Sequence, residues 1–154
     1  MTLGTKYLDL QTQRDTHIGR YLIELNRSFV TATLAHLQTS GFASVTPHHI
    51  HIIAQIDVRG SAIADVLKRS GVTKQSLSNT LGILESNGFV QRVVSEEDGR
   101  SRCVKFTEKG LQLLRAGIDA VKEVETQYAA LLGESNFQDL KRTLGELHRK
   151  THDE

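Results

Sequence analysis

SAIADVLKRSGVTKQSLSNTLGILESNGFVQRVVSEEDGRSRCVKF, residues 61–106, changes its hydrophobic period partway along. Ser61 reads as an N-cap, and Ile63, Val66 and Leu67 follow at the spacing of one helix face. Ser70-Gly71 ends that short helix. Thr73 reads as a second N-cap, opening a helix from Lys74 to Asn87 with Leu77, Leu81 and Leu84 inward. Gly88 stands where a left-handed cap residue belongs. From Phe89 the period falls to about two. Phe89–Val94 and Arg102–Phe106 are rich in β-formers and flank a polar loop at 95–101. Two helices joined by a short Gly-containing turn predict a helix-turn-helix, and the hairpin after them makes it winged.

The flanks are helical. Residues 12–39 predict one long helix, with Ile18, Tyr21, Leu22, Leu25, Phe29, Val30, Leu34 and Leu37 at gaps of three and four. Thr46-Pro47 opens a second helix that carries Ile50, Ile53 and Ala54 inward and ends near Asp57. Thr107 caps a helix over about 108–132, ended by Gly133, and a last helix covers about 136–150. The expectation is a mainly α chain with a small β-hairpin wing (α+β). It forms a single domain over 1–154, with the winged lobe at 59–107 and helical regions at 6–40 and 110–152. Leu140, Leu144 and Leu147 make an apolar stripe outside the winged lobe that needs a partner surface. A second copy of the chain would supply it, giving a homodimer with the terminal helices as its interface.

Composition narrows the function classes. The chain has 154 residues, 38% hydrophobic and 24% charged, which is ordinary for a folded domain. One Cys excludes an internal disulfide and a four-cysteine metal site. No apolar run approaches the roughly 20 residues that cross a bilayer, and the first residues lack a signal-peptide pattern, so a cytoplasmic protein without membrane partners is expected. No phosphate-binding Gly loop, paired carboxylates or nucleophile beside a base can be placed, which argues against an enzyme; no cofactor is expected. Net charge is +1, yet residues 59–109 carry nine basic and six acidic side chains. That middle third is the electropositive part, a pointer toward an anionic partner.

The second helix of the pair gives that partner a chemistry. Opposite its leucines lie Lys74, Gln75, Ser78 and Asn79. Gln75 and Asn79 are four apart, so both amides point the same way, and an amide can bond adenine N6 and N7 together in the major groove. Lys74 and the hydroxyls of Thr73 and Ser76 near the helix start suit phosphates or guanine edges. In the loop, Arg100 is placed to reach a minor groove, with Asp98 and Arg102 flanking it. The competing reading is a solvated amphipathic helix followed by a solvated turn.

Two further features are candidate sensors. His48 and His51 share a helix face beside His49 and could co-ligate a metal or sense protons, but two ligands are not a site, and a surface or pocket-lining role is the plainer reading. His17 and His36 carry no pattern. Cys103 lies in the second wing strand without a nearby His or second Cys, so it reads as a passive strand residue.

As an ordered set, GVTKQSLS at 71–78, LESNGFVQR at 84–92, DGRSR at 98–102 and FTEKG at 106–110 resemble the MarR (multiple-antibiotic-resistance regulator) family. The resemblance covers about residues 12–150. It implies a homodimeric transcriptional regulator, a repressor in the first instance, on a pseudo-palindromic operator in double-stranded DNA, often released by a small-molecule effector. By position it implies Thr73 to Thr80 in the major groove, Arg100 in the minor groove, and Asp98 with Arg102 shaping the wing. Two departures stand out. Gly82 lies inside the recognition helix, where Gly costs about 1 kcal/mol relative to Ala. Asn79 replaces the Arg that many relatives carry, so base preference is not inherited. The alternative is a winged-helix protein-interaction module without sequence-specific DNA binding. The effector site is not named by any motif.

Overall fold

The computed structural model describes residues 3–94 and 101–152. Helices α1 (Leu3–Thr16), α2 (Ile18–Thr39) and α3 (Pro47–Ile53) precede a two-residue strand, β1 (Ser61–Ala62). Then come α4 (Ile63–Ser70), α5 (Lys74–Ser86), β2 (Val90–Val94), β3 (Arg102–Phe106), α6 (Glu108–Leu132) and α7 (Glu134–His152). The mainly α architecture with a winged helix-turn-helix at its centre is the one expected. None of the described helices is long and apolar enough to cross a membrane.

Four local expectations are corrected. The long helix over 12–39 is two helices, because His17 takes an extended backbone and its Nδ1 accepts the amide of Arg20 at 3.1 Å. That is an N-cap made by imidazole, so His17 does have a role. Ser61 is not an N-cap. It belongs to β1, and its Oγ accepts the Asp57 amide at 2.9 Å while donating to the Asp57 carboxylate at 2.7 Å. Helix α4 starts after Ala62 without a side-chain cap. Helix α3 ends at Ile53 rather than near Asp57; Ala54 is exposed, and Ile52 is the side chain wholly buried. The last helix starts at Glu134 and runs to His152, longer at both ends than expected.

The sheet is antiparallel in the order β1-β3-β2. Val90 pairs with Phe106 and Val94 with Arg102 across the hairpin, while Ser61 faces Val104 on the other side of β3. Hydrogen-bonded on both edges, β3 turns Val104 and Phe106 into the core and leaves Cys103 half-buried on the other face. The core gathers Leu37, Val45 and Ile52 with Val66, Leu77, Leu81, Leu84, Phe89 and Leu113. Full burial of a Leu contributes about 1.5–3 kcal/mol, so the three leucines of α5 anchor that helix strongly. The face opposite them is thereby committed to solvent.

One junction joins the winged lobe to α6. Thr107 caps α6 by accepting the Gly110 amide at 3.1 Å, and its hydroxyl also reaches the Gly88 carbonyl. Its backbone amide donates to the Phe89 carbonyl at 3.1 Å. Lys109 donates to the Asn87 carbonyl at 2.9 Å and lies over the Phe89 ring, 5.0 Å from its centroid. A Cβ on Gly110 would occupy the place of the Phe89 carbonyl oxygen. That neighbour is backbone, so it cannot turn aside. Gly110→Ala should therefore destabilise the fold by roughly 3 kcal/mol or more, above the usual cost of overpacking. Thermal unfolding should show the midpoint falling by about 6 °C or more at this chain length, and an unchanged midpoint would mean the junction is looser than drawn.

Candidate nucleic-acid interface

Helix α5 is fixed at both ends by its own sequence. Thr73 Oγ1 accepts the Ser76 amide at 3.1 Å, and Asn87 at the far end donates its side-chain amide to the Ile83 carbonyl at 2.9 Å. With Leu77, Leu81 and Leu84 against the core, Thr73, Lys74, Gln75, Ser78 and Asn79 are all exposed. Gln75 and Asn79 share the outward row, as the spacing required. Ser76 is half-buried, and its hydroxyl lies 3.3 Å from His48 Nε2, so α3 touches the recognition helix there. The span from Thr73 to Thr80 does not act as a block. Leu77 is core, and Thr80 is buried with its hydroxyl donated to the Ser76 carbonyl at 2.9 Å.

Arg92 on β2 was not singled out from the sequence. Its Nη2 donates to the Ser78 carbonyl at 2.9 Å, and its backbone amide donates to Glu85 at 3.1 Å. Its Nε is buried without a hydrogen-bond partner among the described residues, the Glu85 carboxylate standing 3.6 Å away. A wing strand thus grips the recognition helix in mid-length. The contact joins residues fourteen apart, across a change of secondary structure, so no local periodicity announces it. Arg102, exposed at the base of the wing, joins Lys74, Ser78 and Arg92 around a cavity of about 450 Å³ floored by Ile63, Leu67, Leu77 and Leu81. Three of the nine cations of the middle third, from α5, β2 and β3, therefore converge on one side of α5. Arg100 and Asp98 lie outside the described residues.

The remaining candidates separate. Leu140, Leu144 and Leu147 lie on α7 at 42%, 43% and 49% exposure, a row of leucines uncovered within one chain. The three neighbouring histidines act apart. His48 meets Ser76, and His51 Nε2 lies 2.9 Å from the Ser70 carbonyl and so must carry the proton there. His49 is buried and closes a reciprocal cap with Thr46, its Nδ1 accepting the Thr46 amide while its own amide donates to Thr46 Oγ1, both at 3.3 Å. No group of three or more His, Cys, Asp or Glu among the described residues could hold a metal ion. A second cavity, about 290 Å³, lies between α2, α3 and α6 against Leu37, Val45, Ile50, Ile53, Leu113 and Ile118. Its walls are almost wholly apolar, with Thr33 and Lys122 the polar exceptions.

These elements define a winged helix-turn-helix protein, and known proteins resemble it. Residues 43–101 match the MarR family model, a stretch that spans the helix-turn-helix and the first wing strand. The transcriptional activatory protein BadR of Rhodopseudomonas palustris is 29% identical over 85 residues, covering 55% of this chain and 47% of BadR. The chain thus spans about half the length of that relative. Two solved structures share the fold. Streptococcus pneumoniae FabT in complex with DNA has a TM-score of 0.71 at 22% identity, covering 92% of this chain and 98% of FabT. NadR in complex with 4-hydroxyphenylacetate has a TM-score of 0.67 at 25% identity, covering 86% and 92%.

Burial, and then the neighbouring His48, hold the His49 imidazole below its ordinary pKa of 6.5, against a hydrogen bond to the Ser44 backbone carbonyl that acts the other way. The unfolded chain therefore binds this proton before the folded one does. Stability contributed by neutral His49 is complete above about pH 6.5 and declines as pH falls through that value toward the lower folded pKa. His49→Gln keeps a side chain able to reach back to the cap residue and removes the titration. Unfolding midpoints measured from pH 7.5 to 5.5 should fall less in the variant than in the parent; equal slopes would show that His49 is not the group responsible.

Proposed function

We propose that this protein is a sequence-specific, double-stranded-DNA-binding transcriptional regulator that acts as a homodimer on a pseudo-palindromic operator. The observation that carries the reading is the outward row of α5. Gln75 and Asn79 project together from a helix capped by Thr73 and held by three buried leucines, with Lys74 and Arg102 beside it. In this reading Gln75 and Asn79 meet base edges in the major groove, and Ser78 contacts either base edge or phosphate. Lys74, Thr73 and Ser76 meet phosphates near the helix start. Arg102, with Arg100 and Asp98 beyond it, belongs to the wing that follows the strand into the minor groove. The FabT structure with DNA supports this use of the fold.

Dimerisation gives the exposed leucines of α7 a purpose. Leu140, Leu144 and Leu147, with Leu10, Tyr21, Leu22 and Leu25 uncovered on α1 and α2, form the apolar surface a second copy would bury. It would also bring two recognition helices about 34 Å apart, one turn of DNA. The cavity between α2, α3 and α6 is the place for a small-molecule effector with a largely apolar body. NadR with 4-hydroxyphenylacetate supports an effector of that size. Such a ligand acts only by binding one arrangement of the two lobes more tightly than the other. Repression through occupancy of a promoter is the mode proposed. BadR is named an activator, so a reporter gene behind the selected operator decides the sign.

Selection of the purified protein on random duplex DNA should enrich an inverted repeat. Lys74→Ala should then weaken binding on every sequence alike and reduce the log–log salt slope by about 0.9, the signature of one lost phosphate contact. No enrichment by a folded protein would remove the DNA-reading role and favour a protein partner. Separately, Leu140→Asp combined with Leu144→Asp should convert a dimer to a monomer in analytical ultracentrifugation. A variant that sediments with the parent would move the interface elsewhere.

A further inference from the structure

Gly82 occupies the middle of α5 for no reason internal to the chain. Its backbone is outside the left-handed region, and a Cβ built there meets nothing nearer than Arg92 Nη2 at 3.8 Å, an ordinary van der Waals distance. Alanine would fit and would favour the helix, so glycine at this position carries a cost of about 1 kcal/mol that folding does not require. Gly110 is the contrast, since there the Phe89 carbonyl fills the space. The position itself indicates where the reason lies. Gln75, Asn79, Gly82 and Ser86 succeed one another at gaps of four, three and four, so Gly82 continues the outward row that begins with the two amides. Seven residues of helix separate Gln75 from Gly82, roughly 10 Å at 1.5 Å per residue. The major groove is about 12 Å wide, so a helix whose start reads base edges brings its tenth residue or so near the groove wall.

We propose that Gly82 is the point at which a sugar–phosphate strand packs against the bare backbone of α5, with the Arg92 guanidinium at the side of the notch. The inference rests on the DNA-reading role proposed above. Arg92 is suited to it. Its side chain is 27% exposed, and its Nη2, fixed on the Ser78 carbonyl, lies 3.8 Å from where a Cβ on Gly82 would stand. A methyl group at position 82 would hold the strand away from the helix by a carbon's width. Base contacts made by Gln75 and Asn79 nearer the start of α5 would then lose their geometry, whereas loose, sequence-independent binding, in which the helix is not fully seated, would lose little.

The experiment is Gly82→Ala, read three ways on the full chain. Its unfolding midpoint should rise, by about 1–4 °C for this chain length. Its affinity for the duplex enriched by the parent protein should fall by about tenfold or more. Its affinity for an unrelated duplex of equal length at low salt should stay within about twofold. This opposition of stability and specific binding is not produced by a residue that merely supports the fold. Unchanged or tighter binding to the enriched duplex overturns the assignment of Gly82 while leaving the DNA-reading role intact. An equal loss on both duplexes also overturns it, since the notch would then serve general charge attraction. If the parent enriches no duplex at all, the DNA-reading role itself falls, and this inference with it.

Discussion

The carbonyl of Phe89 is the atom on which the arrangement of the molecule depends. It lies just beyond the end of the recognition helix and accepts the backbone amide of Thr107, whose hydroxyl caps the long helix α6. The missing Cβ of Gly110 lets the two backbones approach there, and Lys109 reaches back to Asn87 across the Phe89 ring. Backbone groups at this spot have no freedom to rotate away, so the direction of α5 is tied to the direction of α6. Helix α6 in turn packs along α2 and carries α7. Backbone hydrogen bonds and a close backbone approach, rather than a loop, thus link the end of α5 to the start of α6.

Everything that presents the outward row of α5 follows from that anchor. Leu77, Leu81 and Leu84 fix its rotation, Thr73 its start, and Arg92 its flank. On the remaining side, His48 meets Ser76, and His51 holds the carbonyl that ends α4. The imidazoles of α3 are thus distributed between both helices of the helix-turn-helix. Helix α3 borders the apolar cavity through Ile50 and Ile53, so one short helix touches the proposed effector space on one face and the reading elements on another. A ligand that shifts α3 has a direct mechanical path to α5, without passing through α6.

The parts legible in the sequence were those set by local rules. Thr73 and Thr107 as N-caps, Gly71 as a helix end, Gly88 at a left-handed position, and the leucine spacing of α5 were each readable because the physical cause lies within a few residues. The misreadings share the opposite property. Ser61 looked like a cap because a serine before an apolar run usually is one, but pairing with Val104, over forty residues away, drew it into a strand. His17 broke a helix that periodicity alone would continue, because an imidazole nitrogen can cap and propensity rules do not anticipate it. Ala54 continues the apolar pattern of α3 but stands one residue past its end, where the pattern no longer governs which side faces inward. Of the proposed site, Gln75, Ser78, Asn79 and Lys74 were legible from helix geometry. Arg92 was not, since its grip on Ser78 is a tertiary contact.

The two parts of the chain treat their apolar residues differently, and the difference is informative. In the winged lobe and the helices against it, the large side chains are almost all enclosed. Leu77, Leu81, Leu84, Phe89, Val90 and Val104 are each no more than 2% exposed. On α1, on the first half of α2 and on α7, leucine, isoleucine and tyrosine stand open by roughly half or more, as with Leu10 at 61%, Ile18 at 67% and Ile23 at 72%. Surface ion pairs such as Arg20–Glu24 and Arg142–Glu146 stud the same helices, and exposed pairs of this kind add little stability. Helices of this composition gain little by folding on a single chain, because their apolar faces stay in water. Their stability is to be sought in a surface shared with another molecule, which in the proposed dimer is a second copy of the same helices. A well-packed winged lobe joined through a backbone junction to helices with open apolar faces is the construction that the proposed dimer would use to turn recognition of one half-site into recognition of two.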